Sequence, residues 1–235
     1  MIEIVALDAD DTLWHNEPLY ARTTARFREL LSSYYSSTWI EDRLSETELR
    51  NLPHYGYGIK SFSLSMIETA IELTEGHIKG DEIGEILSIT KQMLAAPVQL
   101  LQGVTETVTE LASSYRLVLV TKGDLFDQES KIARSGLGDC FSEIEIVSDK
   151  DKTIYAQIAS RNRIEAKQLV MVGDSLRSDV IPAMEAGCLA IHVPYETSWQ
   201  HEVLPDEVLQ QYRFLTANSI EEVPGLIERL HRTAV

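Results

Sequence analysis

The sequence contains only two cysteines, Cys140 and Cys188, too few for a disulfide framework or a four-thiolate zinc site. It also lacks an apolar run near the roughly 18 residues a membrane helix needs, and its longest are strand-sized. Basic residues are scarce. Lys and Arg total 21 against 37 Asp and Glu, and the formal charge of −16 repels polyanions at long range. No nucleic acid polymer is therefore expected as a partner. The opening Met1-Ile2-Glu3-Ile4-Val5-Ala6-Leu7-Asp8 has no basic stretch ahead of its apolar run, so it does not read as a secretory leader. These shortages lead to the expectation of a cytoplasmic protein with no membrane partner.

What is present suits a globular fold. Hydrophobic residues make up 44%, enough to exclude a mainly disordered chain, and 235 residues fit one large domain or a domain with an insertion. The acidity does not exclude a small anionic substrate, because one local cluster of cation, N–H and metal outweighs the mean field. Such a composition also suits a chain that holds a divalent cation.

The hydrophobic pattern changes period along the chain. Residues 2–7 read as a buried strand that stops at Asp8. From about 17 to 95 the pattern is helical. Leu19, Phe27, Leu30 and Leu31 mark one helix face, and Ser45 with Glu48 has the spacing of a capping box opening the next helix. Phe62, Met66, Ile67 and Ala70 mark a third helix, and Ile83, Ile86, Leu87 and Met93 a fourth. Strands are then predicted at 116–121, 144–147, 169–173, 189–193 and 212–215, with helices at 104–111, 126–135, 152–162, 177–186 and 219–231. That alternation predicts an α/β fold: a Rossmann-like three-layer core with a mainly parallel sheet, plus an inserted α-helical segment.

Parallel sheets of this kind bind ligands beyond the carboxyl ends of their strands. Those ends carry Asp8, Asp10 and Asp11, then Thr121, Lys122 and Asp124, then Asp149 and Lys150, then Gly173, Asp174 and Asp179. A single Asp at a strand end is ordinarily a turn former or helix cap. Four such features at four strand ends, in one order, point instead to a site. Asp8 and Asp10, two apart, would share a face if the strand continued. With Asp174 they offer the hard oxygen donors that Mg²⁺ prefers. A metal there would offset carboxylate repulsion and leave one carboxylate as a nucleophile and another to exchange protons. Thr121 and Lys150 suit the charged oxygens of a phosphoryl group.

These residues resemble the four motifs of the haloacid dehalogenase superfamily. Asp8-Ala9-Asp10-Asp11-Thr12 is similar to the first, Thr121 after Leu119-Val120 to the second, Lys150 to the third, and Gly173-Asp174 with Asp179 to the fourth. The resemblance implies a Mg²⁺-dependent phosphomonoester hydrolase acting on a small phosphorylated metabolite through an aspartyl-phosphate. It assigns Asp8 as nucleophile and Asp10 as general acid and then base. The metal is assigned to Asp8, the main-chain carbonyl of Asp10, and Asp174. Thr121, Lys122 and Lys150 fall to the phosphoryl group, with Asp179 supporting Lys150 or a metal-bound water. Lys152 rivals Lys150 for the third motif; Lys150, five residues before Tyr155, is preferred.

Within the superfamily, the carboxylate two residues after the nucleophile separates phosphatases and mutases from dehalogenases, and Asp10 is present. A phosphomutase on sugar phosphates, or a silent binding member, remains as the alternative. Residues 15–96 resemble the family's helical cap, leaving 1–14 and 97–235 as the catalytic core. Residues 51–60, with Tyr55, Tyr57 and two glycines, read as a break between helices that either faces the site or packs as an ordinary loop. Trp14 or Asn16 is a candidate substrate contact. His15 reads as structural, and His192 and His201 receive no role. A receiver-like domain is disfavoured by the early Asp8/Asp10 pair and the insertion, and a P-loop protein by the missing glycine-rich lysine motif. A monomer or homodimer is expected.

Overall fold

The computed structural model describes residues 1–197 and 204–233, so His201 lies outside the described residues. The chain resolves into two compact units. One comprises Met1–Glu17, Val98–Thr121 and Lys131–Val235; the other comprises Pro18–Pro97 and Lys122–Ser130.

The first unit is built on a six-stranded sheet in the order β3-β2-β1-β4-β5-β6. The strands are β1 (Ile4–Leu7), β2 (Arg116–Lys122), β3 (Glu143–Val147), β4 (Leu169–Gly173), β5 (Leu189–His192) and β6 (Leu215–Thr216). β1 pairs in parallel with both β2 and β4, β4 with β5, and β5 with β6. Alternation along β1 divides its side chains between two layers, as a pleated strand requires. Val5 and Leu7 join one core with Val104, Val108 and Leu111 of α5 (Val104–Ser114) and Val223 and Ile227 of α10 (Val223–Thr233). Ile4 and Ala6 join the opposite core with Tyr155 and Ile158 of α7 (Lys152–Arg161) and Ala183 of α8 (Ile181–Glu185). The predicted three-layer α/β core is what forms. Among the described residues between β5 and β6 lies the short α9 (Asp206–Leu209), and the last strand begins at Leu215, later than the sequence pattern placed it.

The second unit holds α1 (Glu17–Leu30) from Pro18 onward, α2 (Ser37–Tyr55), α3 (Ile59–Leu73) and α4 (Gly80–Ala95). Phe27, Leu31, Ile40, Leu44, Phe62, Met66, Ala70, Ile86 and Met93 form its core. The expected capping box at Ser45 does not start a helix. α2 begins nine positions earlier, where Ser36 accepts the Trp39 N–H, and runs unbroken through Ser45 and Glu48. The buried Ile40 and Leu44 sit one turn apart on the inward face, so packing carries the helix across the capping signal. The break within residues 51–60 narrows to Gly56–Gly58, with φ of 69° and 112° at the two glycines. Residues 122–130, including the first half of α6 (Leu125–Ser135), group with this unit rather than with the sheet that the sequence assigned them to.

Candidate active site

The strand order reverses at β1, whose neighbours are β2 and β4, and the carboxyl end of that strand is where such sheets place ligands. Asp8 leaves β1 there, its N–H donating to the Val172 carbonyl at 2.9 Å. The chain then turns sharply instead of continuing as a strand. The Leu13 N–H returns to the Ala9 carbonyl at 2.8 Å, and Asp11 takes a left-handed φ of 62°, a conformation Asp tolerates better than most residues. The Asp11 carboxylate accepts the N–H groups of Asn16 and Glu17, so it caps the helix that follows. Burial pushes its acid up to about 7.

Asp8 is only 5% exposed and carries partners on both oxygens. Oδ1 accepts from Lys150 Nζ, and Oδ2 lies 2.9 Å from the Thr12 hydroxyl. That hydroxyl is also 3.2 Å from Asp174 Oδ1 and accepts the Asp174 N–H at 3.0 Å. Thr12 thus ties the end of β1 to the end of β4, a role its place in the sequence did not disclose. His192 contributes from β5, its Nε2 lying 2.8 Å from the Asp174 carbonyl.

Lys150 settles against the site and Lys152 does not: Lys150 is buried, whereas Lys152 is exposed in the first turn of α7. The Lys150 ammonium also donates to Asp179 Oδ1 at 2.7 Å. Burial opposes its charge, but Asp179 and Asp8 outweigh that and hold the lysine well above its ordinary value. Asp179 lies in a π-helical turn (Leu176–Val180), and its Oδ2 accepts the Ser175 N–H at 3.1 Å.

Carboxylate oxygens of Asp8, Asp174 and Asp179 come within 4.8 Å of one another. Burial, then Asp8 and Asp179, push Asp174 well above the usual carboxylate range, and burial pushes Asp179 up to about 7. Three carboxylates about the Lys150 ammonium leave two negative charges, which a divalent cation would balance. The oxygen-only donor set and the excess charge both fit Mg²⁺.

Asp10 is turned elsewhere. Its Oδ1 accepts the Trp14 indole N–H at 2.6 Å, and both of its oxygens lie 2.7 Å from Lys131 Nζ. Trp14 is 1% exposed and packs in the sheet core, so it steadies Asp10 and is not a substrate contact. Asn16 Oδ1 is 3.4 Å from the same ammonium. Sequence reading missed Lys131. The available signal was the polar character of the inward face of α6, where Asp127, Gln128 and Lys131 are all buried. His15 pairs with Tyr195 at 2.6 Å, in keeping with a structural role.

Thr121 is buried in β2, the strand next to β1. The neighbouring Lys122 ammonium lies 4.2 Å from the centroid of the Tyr57 ring, a cation–π contact within the second unit.

Comparison with known proteins agrees with this frame. Residues 2–187 match the family model of the haloacid dehalogenase-like hydrolases. A haloacid dehalogenase-like family hydrolase from Xanthomonas campestris has a similar structure, with 40% identity and a TM-score of 0.88 over 99% of this chain and 93% of that one. Human N-acylneuraminate-9-phosphatase is 23% identical, covering 97% of this chain and 95% of its own. The Escherichia coli K12 5-amino-6-(5-phospho-D-ribitylamino)uracil phosphatase YigB is 22% identical, covering 92% and 95%. With a family model spanning most of its length, this chain belongs to the haloacid dehalogenase-like hydrolases.

Proposed function

We propose that the protein is a phosphomonoester hydrolase that acts on a small phosphorylated metabolite through an aspartyl-phosphate at Asp8. The observation that carries this reading is the pair Asp8 and Asp10. The first is buried against Lys150 and Thr12; the second, two residues on, is held separately by Trp14 and Lys131. One site thus presents a nucleophile and a proton carrier in different environments. The relatives named as phosphatases support the same class.

In the first half of the reaction an Asp8 oxygen bonds to phosphorus as the bond from phosphorus to the ester oxygen breaks. Asp10 donates its proton to that departing oxygen, and the alcohol leaves. In the second half Asp10 takes a proton from water, the water oxygen attacks phosphorus, and the Asp8 carboxylate is released with inorganic phosphate. Lys150 holds Asp8 and offers positive charge to the phosphoryl oxygens, with the Thr121 hydroxyl and Lys122 as further donors. Asp179 positions Lys150. Mg²⁺ would be held by Asp8, Asp174 and the main-chain carbonyl of Asp10, and when bound it supplies positive charge that offsets the approach of a phosphate dianion to these carboxylates.

Phosphate release from a panel of phosphate esters tests this, with Mg²⁺ or chelator, for the wild type and Asp8→Asn. Metal-dependent release by the wild type alone is expected. Comparable release by Asp8→Asn would overturn the covalent route, and conversion of a sugar phosphate to its isomer without phosphate release would favour a mutase.

A further inference from the structure

Lys131 belongs to none of the four strand-end motifs, yet it contacts both carboxylate oxygens of Asp10. Its ammonium lies 2.7 Å from both carboxylate oxygens, and the residue is only 7% exposed. Burying an ammonium is costly, and a well-packed apolar side chain at such a helix position is commonly as stable or more so. A lysine retained there calls for a use beyond anchoring α6.

The geometry supplies one. Aspartate has two rotatable side-chain bonds, and proton transfer needs donor and acceptor within about 2.6–3.2 Å. Trp14 fixes Oδ1 from within the sheet core, while Lys131 grips both oxygens from α6. Three contacts from two elements fix where the carboxylate sits and how its plane turns. The lysine also reaches Asn16, so the support spans the whole turn after the first motif. Each of the two aspartates thereby has its own lysine: Lys150 for Asp8 and Lys131 for Asp10.

We propose that Lys131 is the positioning residue of the proton-transfer carboxylate, holding Asp10 toward the leaving-group oxygen; this rests on the phosphatase reading above. Losing it should impair protonation of the leaving group and spare attack by Asp8. The test compares an alkyl phosphate, whose alkoxide must be protonated, with p-nitrophenyl phosphate, whose phenolate departs readily. In a single turnover, which reads only the first half of the reaction, Lys131→Met should slow release of the alcohol from the alkyl ester about 100-fold, with a change of about threefold or less in release of p-nitrophenolate. In the double variant Asp10→Asn/Lys131→Met, the loss should equal that of Asp10→Asn alone, because the lysine acts through the aspartate.

Equal losses on both esters in that single turnover, or a double variant that multiplies the two single losses, would overturn the assignment while leaving the phosphatase reading intact. A wild type that releases phosphate from neither ester would overturn both. Should Lys131→Met fail to fold, Lys131→Gln keeps a donor of reduced reach. The same asymmetry between the esters is then expected of it, and its absence counts against the proposal equally.

Discussion

A side-chain carbon on Gly173 would collide with the carboxylate of Asp179, which packs directly over the last residue of β4. The glycine is therefore required by close approach and not by an unusual φ. Asp179 cannot swing aside cheaply, since Lys150 and the Ser175 N–H hold its two oxygens. Gly173→Ala should destabilise the fold by about 1–3 kcal/mol, the usual cost of overpacking. It should also disturb Lys150 and lower turnover. A melting temperature equal to that of the wild type would show that Asp179 has room to move.

The two candidate lysines of the third motif are predicted to differ sharply. Lys150→Met strands Asp8 and Asp179 without their shared ammonium, and breaking a buried pair from one side costs about 3–5 kcal/mol. Lys152 is exposed, so Lys152→Met should stay within about 0.5 kcal/mol. Urea denaturation of both variants checks the contrast, which phosphate release should follow.

The acidic centre gives stability a dependence on both metal and pH. Burial and mutual repulsion raise Asp174 above its ordinary range, and burial raises Asp179 to about 7. The native state then binds more protons than the unfolded chain, so without metal this cluster costs stability as pH rises from about 4 toward 7. Metal binding requires the charged carboxylates and strengthens over the same direction of pH. The rise in melting temperature produced by Mg²⁺ over chelator should therefore be larger at pH 8 than at pH 5.5. A rise independent of pH would separate the metal from these carboxylates.

Thiol chemistry should distinguish the two cysteines. Cys188 is buried in the core that faces α7 and α8, and burial pushes its thiol up to about 11. Cys140 is partly exposed. Iodoacetamide at pH 7.5 should modify Cys140 well before Cys188, with mass spectrometry reading the order, because only thiolate reacts. Modification of Cys188 first would mean that this core opens readily.

The sequence by itself determined the architecture and the chemical character of the rim. Short continuous apolar runs ending at Asp8, Thr121 and Gly173 place those residues at strand ends, because a parallel sheet buried on both faces leaves polar groups only where its strands stop. Local order also made Asp8, Asp10 and Thr12 recognisable together, since one turn holds all three. Tertiary structure alone decided the partners. Ser45 and Glu48 have a local capping signal, but the burial of Ile40 and Leu44 carried the helix through it. Lys150 and Lys152 are indistinguishable as letters two apart; the start of α7 buries one and exposes the other. Lys131 stands 121 positions from Asp10 and meets it only after α6 packs beside the first turn. A hydrogen bond across that separation leaves no periodic trace in the chain, because it depends on two elements meeting and not on the spacing within either.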